Sequence, residues 1–301
     1  MEKTNKTNKT NKTYKIRIFS SFCPSENCKE IYERLCEVSN MENYGKDKDI
    51  YITNEEDYTH VIILNTAMPD IKKYIPKENV IGFAFEPPQF LKITPKFIEY
   101  AKNNISKYFI GEKNELGEPF VERYSHMWYN PPLKSEPRKN KIMSLMISEK
   151  VSEEGHLYRH CLVNKILESK LPIDIYGRGC KFYLWMKDER IKGEFKELEP
   201  YENYKFHISI ENCRLNHYFS EKIMNPLLCN TTPIYMGCNN IEKYFPNTTI
   251  SLSGELEEDF KMLKDICNNP DVYIKTIDVD KIKNCIFLLS NLDELYYYST
   301  Y

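Results

Sequence analysis

The 301-residue chain has none of the short glycine motifs that mark many phosphate sites and catalytic serines. With no G-x-G-x-x-G, P-loop or nucleophile elbow, the dinucleotide, NTPase and serine-hydrolase devices built on them are excluded. No two cysteines are spaced C-x-x-C, although ten are present, at 23, 28, 36, 161, 180, 213, 229, 238, 267 and 285. Cys161, Cys229 and Cys285 stand among apolar residues, where a free thiol acts as a small core side chain. No apolar run approaches the ~18 residues that would suggest a membrane span, and no signal peptide is evident. A soluble, cytoplasmic protein with reduced thiols is the expectation. The net charge of -2 gives no excess of cations for a nucleic-acid surface.

What remains is ordinary for a soluble globular protein: 41% hydrophobic and 29% charged residues, enough for one large domain or two of usual size. The 23 tyrosines, with abundant Lys, Asn and Ile and little Ala, fit the bias of an AT-rich genome. Residues 3–13 repeat KTN without an apolar member, so residues 1–13 are expected to be a disordered tail.

From Tyr14 the pattern alternates between strands and helices. Lys15–Phe19, Ile50–Ile52, His60–Leu64, Val80–Phe85 and Lys107–Ile110 read as strands, with helices at Cys28–Val38 and Pro95–Asn104. Residues 130–140, NPPLKSEPRKN, have linker composition. Beyond them come strands at Lys141–Ile147, Ile173–Tyr176 and Thr249–Leu252, and helices at Leu157–Glu168, Leu256–Asn268 and Asp280–Leu289. Such alternation argues for parallel α/β sheets. The expected division is 14–138, 139–277 and a C-terminal helix and tail, 278–301. Other two-domain α/β enzymes would share this pattern.

The most informative stretch is Phe206 to Phe245. Phe206, Ile208 and Ile210 alternate with His207 and Ser209 and lead to Glu211-Asn212, which suits a strand whose tip faces a cleft. After a polar loop, Ser220 can cap a helix carrying Glu221 and Lys222 in its first turn, and a second strand, Thr232–Met236, stops at Gly237. The helix N-terminus and Lys222 favour a phosphate, whereas Glu221 beside them favours a sugar hydroxyl. Together they suggest a nucleotide-sugar site. Pro226 falls inside this helix, at a cost of ~3 kcal/mol unless the helix kinks.

Tyr204-x-Phe206, Glu211-Asn212, Tyr218, Glu221-Lys222 and Pro233-Ile234-Tyr235-x-Gly237 resemble the donor signature of the α-1,3-fucosyltransferases. The spacing from Asn212 to Lys222 agrees without gaps. The resemblance is strong over residues 140–252 and thin over the first 130. It implies a GT-B fold, two Rossmann-like domains facing across a cleft, and an inverting, metal-independent transfer of fucose from GDP-fucose to a glycan hydroxyl. By resemblance Lys222 contacts the diphosphate and Glu221 the fucose, while Asn212 and Tyr218 lie near the donor. Arg178, in Ile173-Asp174-Ile175-Tyr176-Gly177-Arg178, matches an arginine whose guanidinium would grip the pyrophosphate. Arg159 matches another, less closely. Glu211 has two readings, donor contact or structural carboxylate. Animal members carry an N-terminal membrane anchor that this sequence does not show, so a bacterial or viral type is expected.

Glu86, in Phe85-Glu86-Pro87-Pro88, stands where the family has its proposed catalytic base. A carboxylate can take the proton of an attacking acceptor hydroxyl, and apolar neighbours such as Phe83 and Phe85 would raise its pKa. No cofactor or metal is expected. The Asp47-x-Asp49 and Asp278-x-Asp280 pairs lie in lysine-rich segments, and His156 and His160, at i,i+4, have no evident third ligand. The expected partners are a nucleotide-sugar donor and a glycan acceptor, with no nucleic acid and no membrane span. Two alternatives stay open: another nucleotide-deoxysugar donor, or an inactive carbohydrate-binding or scaffold protein.

Overall fold

The computed structural model describes residues 13–135 and 137–298. Residues 1–12 of the repeat tail lie outside the described residues, so its expected disorder is left aside. The chain divides into two compact units. One runs to Tyr108 and takes back Leu292 onward, and the other is Phe109–Asn291.

The first unit contains strands β1 (Tyr14–Ser20), β2 (Ile50–Ile52), β3 (His60–Leu64) and β4 (Val80–Phe83), and it ends within β5 (Lys107–Ile110). Its helices are α1 (Ser25–Val38), α2 (Pro88–Leu91) and α3 (Pro95–Asn104). The parallel order is β2-β1-β3-β4. All five residues of β3 are buried, as a continuous apolar run between two parallel neighbours requires. Thr94 caps α3 by accepting the Phe97 amide at 3.2 Å, and Pro95 follows as its first residue.

The second unit adds β6 (Phe120–Glu122), β7 (Lys141–Met146), β8 (Ile173–Tyr176), β9 (Ile191–Gly193), β10 (Tyr204–Ile210), β11 (Thr232–Met236) and β12 (Ile250–Ser251). Its helices are α4 (Glu154–Glu168), α5 (Glu199–Glu202), α6 (Glu221–Leu228), α7 (Leu256–Asn268), α8 (Pro270–Tyr273) and α9 (Val279–Ile286). Six strands form a parallel sheet in the order β12-β11-β10-β7-β8-β9. Phe206, Ile208 and Ile210 join Met143, Leu145, Ile173 and Ile175 on one face, packed against α4 and α7. The opposite face of β10 is buried too: Tyr201 of α5 meets the His207 ring edge-on at 4.6 Å, and Ser209 bonds to α6. The alternation on β10 therefore separates two helical layers, an apolar one and one that uses polar side chains as fasteners.

The Pro-rich run at 130–140, the expected divide between halves, lies inside the second unit. The segment before it belongs there because its aromatics pack there. Tyr124 stacks on Phe219 at 3.8 Å, and the Asn130 amide donates to Asn225 Oδ1 at 2.9 Å. The C-terminal region also divides. α9 stays with the second unit, whereas α10 (Leu292–Tyr297) returns to the first, where Tyr296 donates to the Val61 carbonyl at 3.1 Å. Cys161, expected in the core, is exposed on α4; Cys229 is buried and Cys285 partly so.

Candidate donor site at the end of β10

β10 ends at Ile210, and Glu211 follows with only 1% of its surface exposed. Its carboxylate accepts the Ser220 amide at 2.8 Å and the Ser220 hydroxyl at 2.7 Å. Of the two readings of Glu211, the structural one describes what is seen: it ties the strand tip to the cap of α6. Gly237 makes room for it, since a Cβ there would lie 2.4 Å from Glu211 Cγ. Gly155, at the start of α4, faces the same turn, where a Cβ would lie 1.9 Å from the Glu211 carbonyl oxygen. Two helix N-termini thus converge on the end of one strand.

Ser220 caps α6 by accepting the Lys222 amide at 3.4 Å, while its main-chain carbonyl takes the amides of Ile223 and Met224. These first-turn amides are engaged within the protein, so Lys222 is the main cationic feature at this helix end. Its Nζ lies 3.0 Å from Ser220 Oγ, 3.1 Å from Glu221 Oε1 and 3.5 Å from Glu211 Oε2. Burial pulls its pKa down, but Glu221 and Glu211 more than offset that, and the net shift is upward. Burial pushes Glu221 up, yet the neighbouring Lys222 leaves it below its ordinary value. Both groups are therefore charged at neutral pH. Their side chains are 17% and 42% exposed, so this pair can be reached from solvent.

Arg159 is buried. It donates from Nε to the Gly155 carbonyl at 2.9 Å and from Nη2 to Asn212 Oδ1 at 2.8 Å. Asn212 is thereby held by α4, and the role of Arg159 visible here is positional. His156, also buried, takes the Glu153 amide on Nδ1 at 3.2 Å. Burial, then the charges of Arg159, Lys150 and Lys222, lower its pKa to about 4, so the ring is neutral. His160 bonds Tyr183 and Ser148, which leaves the i,i+4 histidines in separate structural roles. Tyr218 is 5% exposed, with its Cβ against Gly111. The loop that carries it is clamped by His217, at φ +58°, which meets the Tyr244 hydroxyl at 2.5 Å and donates its amide to Asn240 Oδ1 at 2.8 Å.

Arg178 does not join the Lys222 cluster. It is exposed at the carboxyl end of β8, its Nε 3.9 Å from Glu149. β7 lies between β8 and β10, so two strand spacings, ~10 Å, separate the strand ends. Both residues nevertheless lie at the carboxyl edge of the sheet, where open α/β sheets bind ligands. Gly177, at φ +102°, and Gly179 let this turn press on Ile147 and Ser148; a Cβ at either would come within 2.4 Å of a carbonyl oxygen.

In the first unit, Glu86 follows β4 at the carboxyl edge of its sheet and is exposed. Phe83 and Phe85, on the strand and turn that lead to it, are buried. Asn65, at φ +52°, shapes the turn by accepting the Phe85 amide at 2.8 Å and donating its own to the Phe83 carbonyl. The sequence reading missed Asn65 and Gly155, and it placed Ser209 on the strand without its bond to α6.

Among the described residues no helix is long and apolar enough to cross a membrane. Residues 136–283 match the family model for the C-terminal part of glycosyltransferase family 10 (fucosyltransferase). A fucosyltransferase-like protein of Arabidopsis thaliana is 27% identical over 124 residues, 40% of this chain and 23% of that protein. A protein named as a fucosyltransferase in Acanthamoeba polyphaga mimivirus is 30% identical over 141 residues, 40% of this chain and 22% of that protein. The chain thus spans less than a quarter of the length of these relatives. A solved α1,3-fucosyltransferase with GDP-fucose aligns with a TM-score of 0.53 at 15% identity, over 100% of this chain and 95% of that one. The fold is that of GT-B glycosyltransferases, with two parallel sheets. Residues 136–283, which hold the whole Glu211–Lys222 cluster, are the part of the chain that matches glycosyltransferase family 10 (fucosyltransferase).

Proposed function

We propose that this protein is an inverting glycosyltransferase that moves fucose from GDP-fucose to a hydroxyl of a glycan acceptor without a metal ion. The observation that carries this reading is the Lys222 ammonium, held over the capped N-terminus of α6 by Glu211, Ser220 and Glu221 inside the family-matched segment. The relative solved with GDP-fucose supports the choice of donor. In this reading Lys222 and the α6 dipole meet the diphosphate oxygens, and Arg178 adds a second cation from the end of β8. Glu221 accepts a hydrogen bond from a sugar hydroxyl. Glu86 takes the proton of the acceptor hydroxyl as its oxygen attacks the anomeric carbon from the face opposite the diphosphate. The bond to the diphosphate breaks in the same displacement, GDP leaves with the electron pair, and the anomeric configuration inverts.

The test is a panel of GDP- and UDP-sugars incubated with the protein, scored by nucleotide release. GDP release from GDP-fucose alone is the expected outcome. Release from a different donor alone overturns the choice of sugar, and failure to bind or cleave any of them overturns the transferase reading.

A further inference from the structure

We propose that Cys23 and Cys28 are an oxidation site, a vicinal thiol pair that closes to a disulfide by exchange with a small-molecule disulfide. Their Sγ atoms lie 3.4 Å apart, against ~2.05 Å in a disulfide. Bridging therefore requires a small side-chain movement and no rearrangement of the fold. The two residues have distinct exposures suited to the two steps of exchange. Cys23 is partly exposed in the loop after β1, while Cys28 is fully buried in the first turns of α1. Pro24 separates the loop from the helix and accepts the Cys28 amide at 3.3 Å, which sets the distance between the thiols.

In the first step the Cys23 thiolate attacks one sulfur of oxidised glutathione. One glutathione thiolate leaves, and a mixed disulfide forms on Cys23. Cys28 then gives up its proton and attacks Cys23 Sγ, and the second glutathione leaves. Two protein thiols are oxidised by two electrons, one glutathione disulfide becomes two thiols, and the protons pass to those leaving groups. Burial and then the neighbouring Cys23 thiol hold the Cys28 pKa well above its ordinary value, so the second step quickens as pH rises. The pair also lies on a surface that matters to the fold's carboxyl edge: Phe22, one residue before Cys23, meets Phe85 at 6.1 Å between ring centroids. Phe85 precedes Glu86, and a bridge at 23–28 stiffens the loop packed against that turn.

The test is intact-mass and peptide mapping of the reduced full-length protein after incubation with oxidised glutathione, acid quench and alkylation. The expected wild-type product contains a 23–28 peptide two hydrogens lighter than its reduced form, with both cysteines protected from alkylation; a Cys161→Ser background removes the exposed thiol that could take up glutathione on its own. Cys28→Ala should instead retain one glutathione on Cys23, because nothing displaces it. A wild-type protein that keeps a stable glutathione adduct on Cys23, stays alkylatable at both Cys23 and Cys28, or links Cys23 to another cysteine overturns the proposal.

Discussion

Ser209 Oγ donates to the main-chain carbonyl of Lys222 at 2.8 Å. In an unbroken helix that carbonyl would accept the amide of the residue four positions on. Here the residue is Pro226, which has no N–H. The strand beneath the helix supplies the missing donor, so the proline expected to disturb α6 is accommodated and the residue carrying Lys222 is fastened to β10. Ser209→Ala should leave a buried carbonyl unpaired and cost about 1–3 kcal/mol in urea unfolding. In a Pro226→Ala background, where the restored amide can serve that carbonyl, the same change should cost distinctly less. Equal losses in both backgrounds would show that the two residues are not coupled.

Gly237→Ala sets a Cβ 2.4 Å from Glu211 Cγ and 2.6 Å from Tyr235 Oη. Neither neighbour is free to retreat, since Glu211 holds Ser220 and the Tyr235 hydroxyl holds the Cys238 amide. The expected loss is about 1–3 kcal/mol, typical of overpacking. Gly117→Ala, where no atom lies within 4 Å, is the matched control and should stay within about 0.5 kcal/mol of wild type.

Acid should destabilise the second unit through two buried histidines. Burial lowers His207 from 6.5 to about 3, and burial with neighbouring cations lowers His156 from 6.5 to about 4. As pH falls below 6.5 the unfolded chain binds protons that the folded rings refuse. Their contribution is therefore complete above 6.5 and declines down to about 4 for His156 and about 3 for His207. The loss at pH 5 should be on the order of 2 kcal/mol for each ring. His207→Gln should flatten the difference in unfolding free energy between pH 7 and pH 5. A slope unchanged from wild type would remove His207 from this role.

Glu86→Gln keeps the size of the side chain but cannot accept the acceptor proton. Transfer should fall by about 10²-fold or more, the usual scale for losing a general base. GDP binding by calorimetry should be unaffected, because Glu86 belongs to the other unit. A variant that transfers at the wild-type rate would mean that another group is the base.

Much of this fold could be read before any coordinates. His60–Leu64, Pro95–Asn104, Lys107–Ile110, Ile173–Tyr176 and Leu256–Asn268 begin and end where their apolar periodicity and flanking Pro, Asn and Gly place them. Residues 177–193 were illegible, because the 3-10 turns are too short to show a periodicity and the three residues of β9 are held by pairing with β8 rather than by local pattern. The unit boundary was misplaced for a related reason. A Pro-rich run has linker composition, but what assigns residues 109–138 is aromatic packing on Phe219 and α6, which no window of sequence displays. Around the candidate site, spacing placed Glu211, Asn212, Ser220, Glu221 and Lys222 between the end of β10 and the first turn of α6. It did not reveal that Glu211 and Arg159 act on Ser220 and Asn212.

The most direct measurement is a calorimetric titration of GDP into wild-type protein and Lys222→Ala, both first shown to be folded by circular dichroism. A charge-assisted contact to phosphate carries about 1.5–3 kcal/mol, so the variant should bind GDP roughly 10- to 150-fold more weakly. Equal affinity in the two proteins would contradict the assignment of the α6 N-terminus as the diphosphate site.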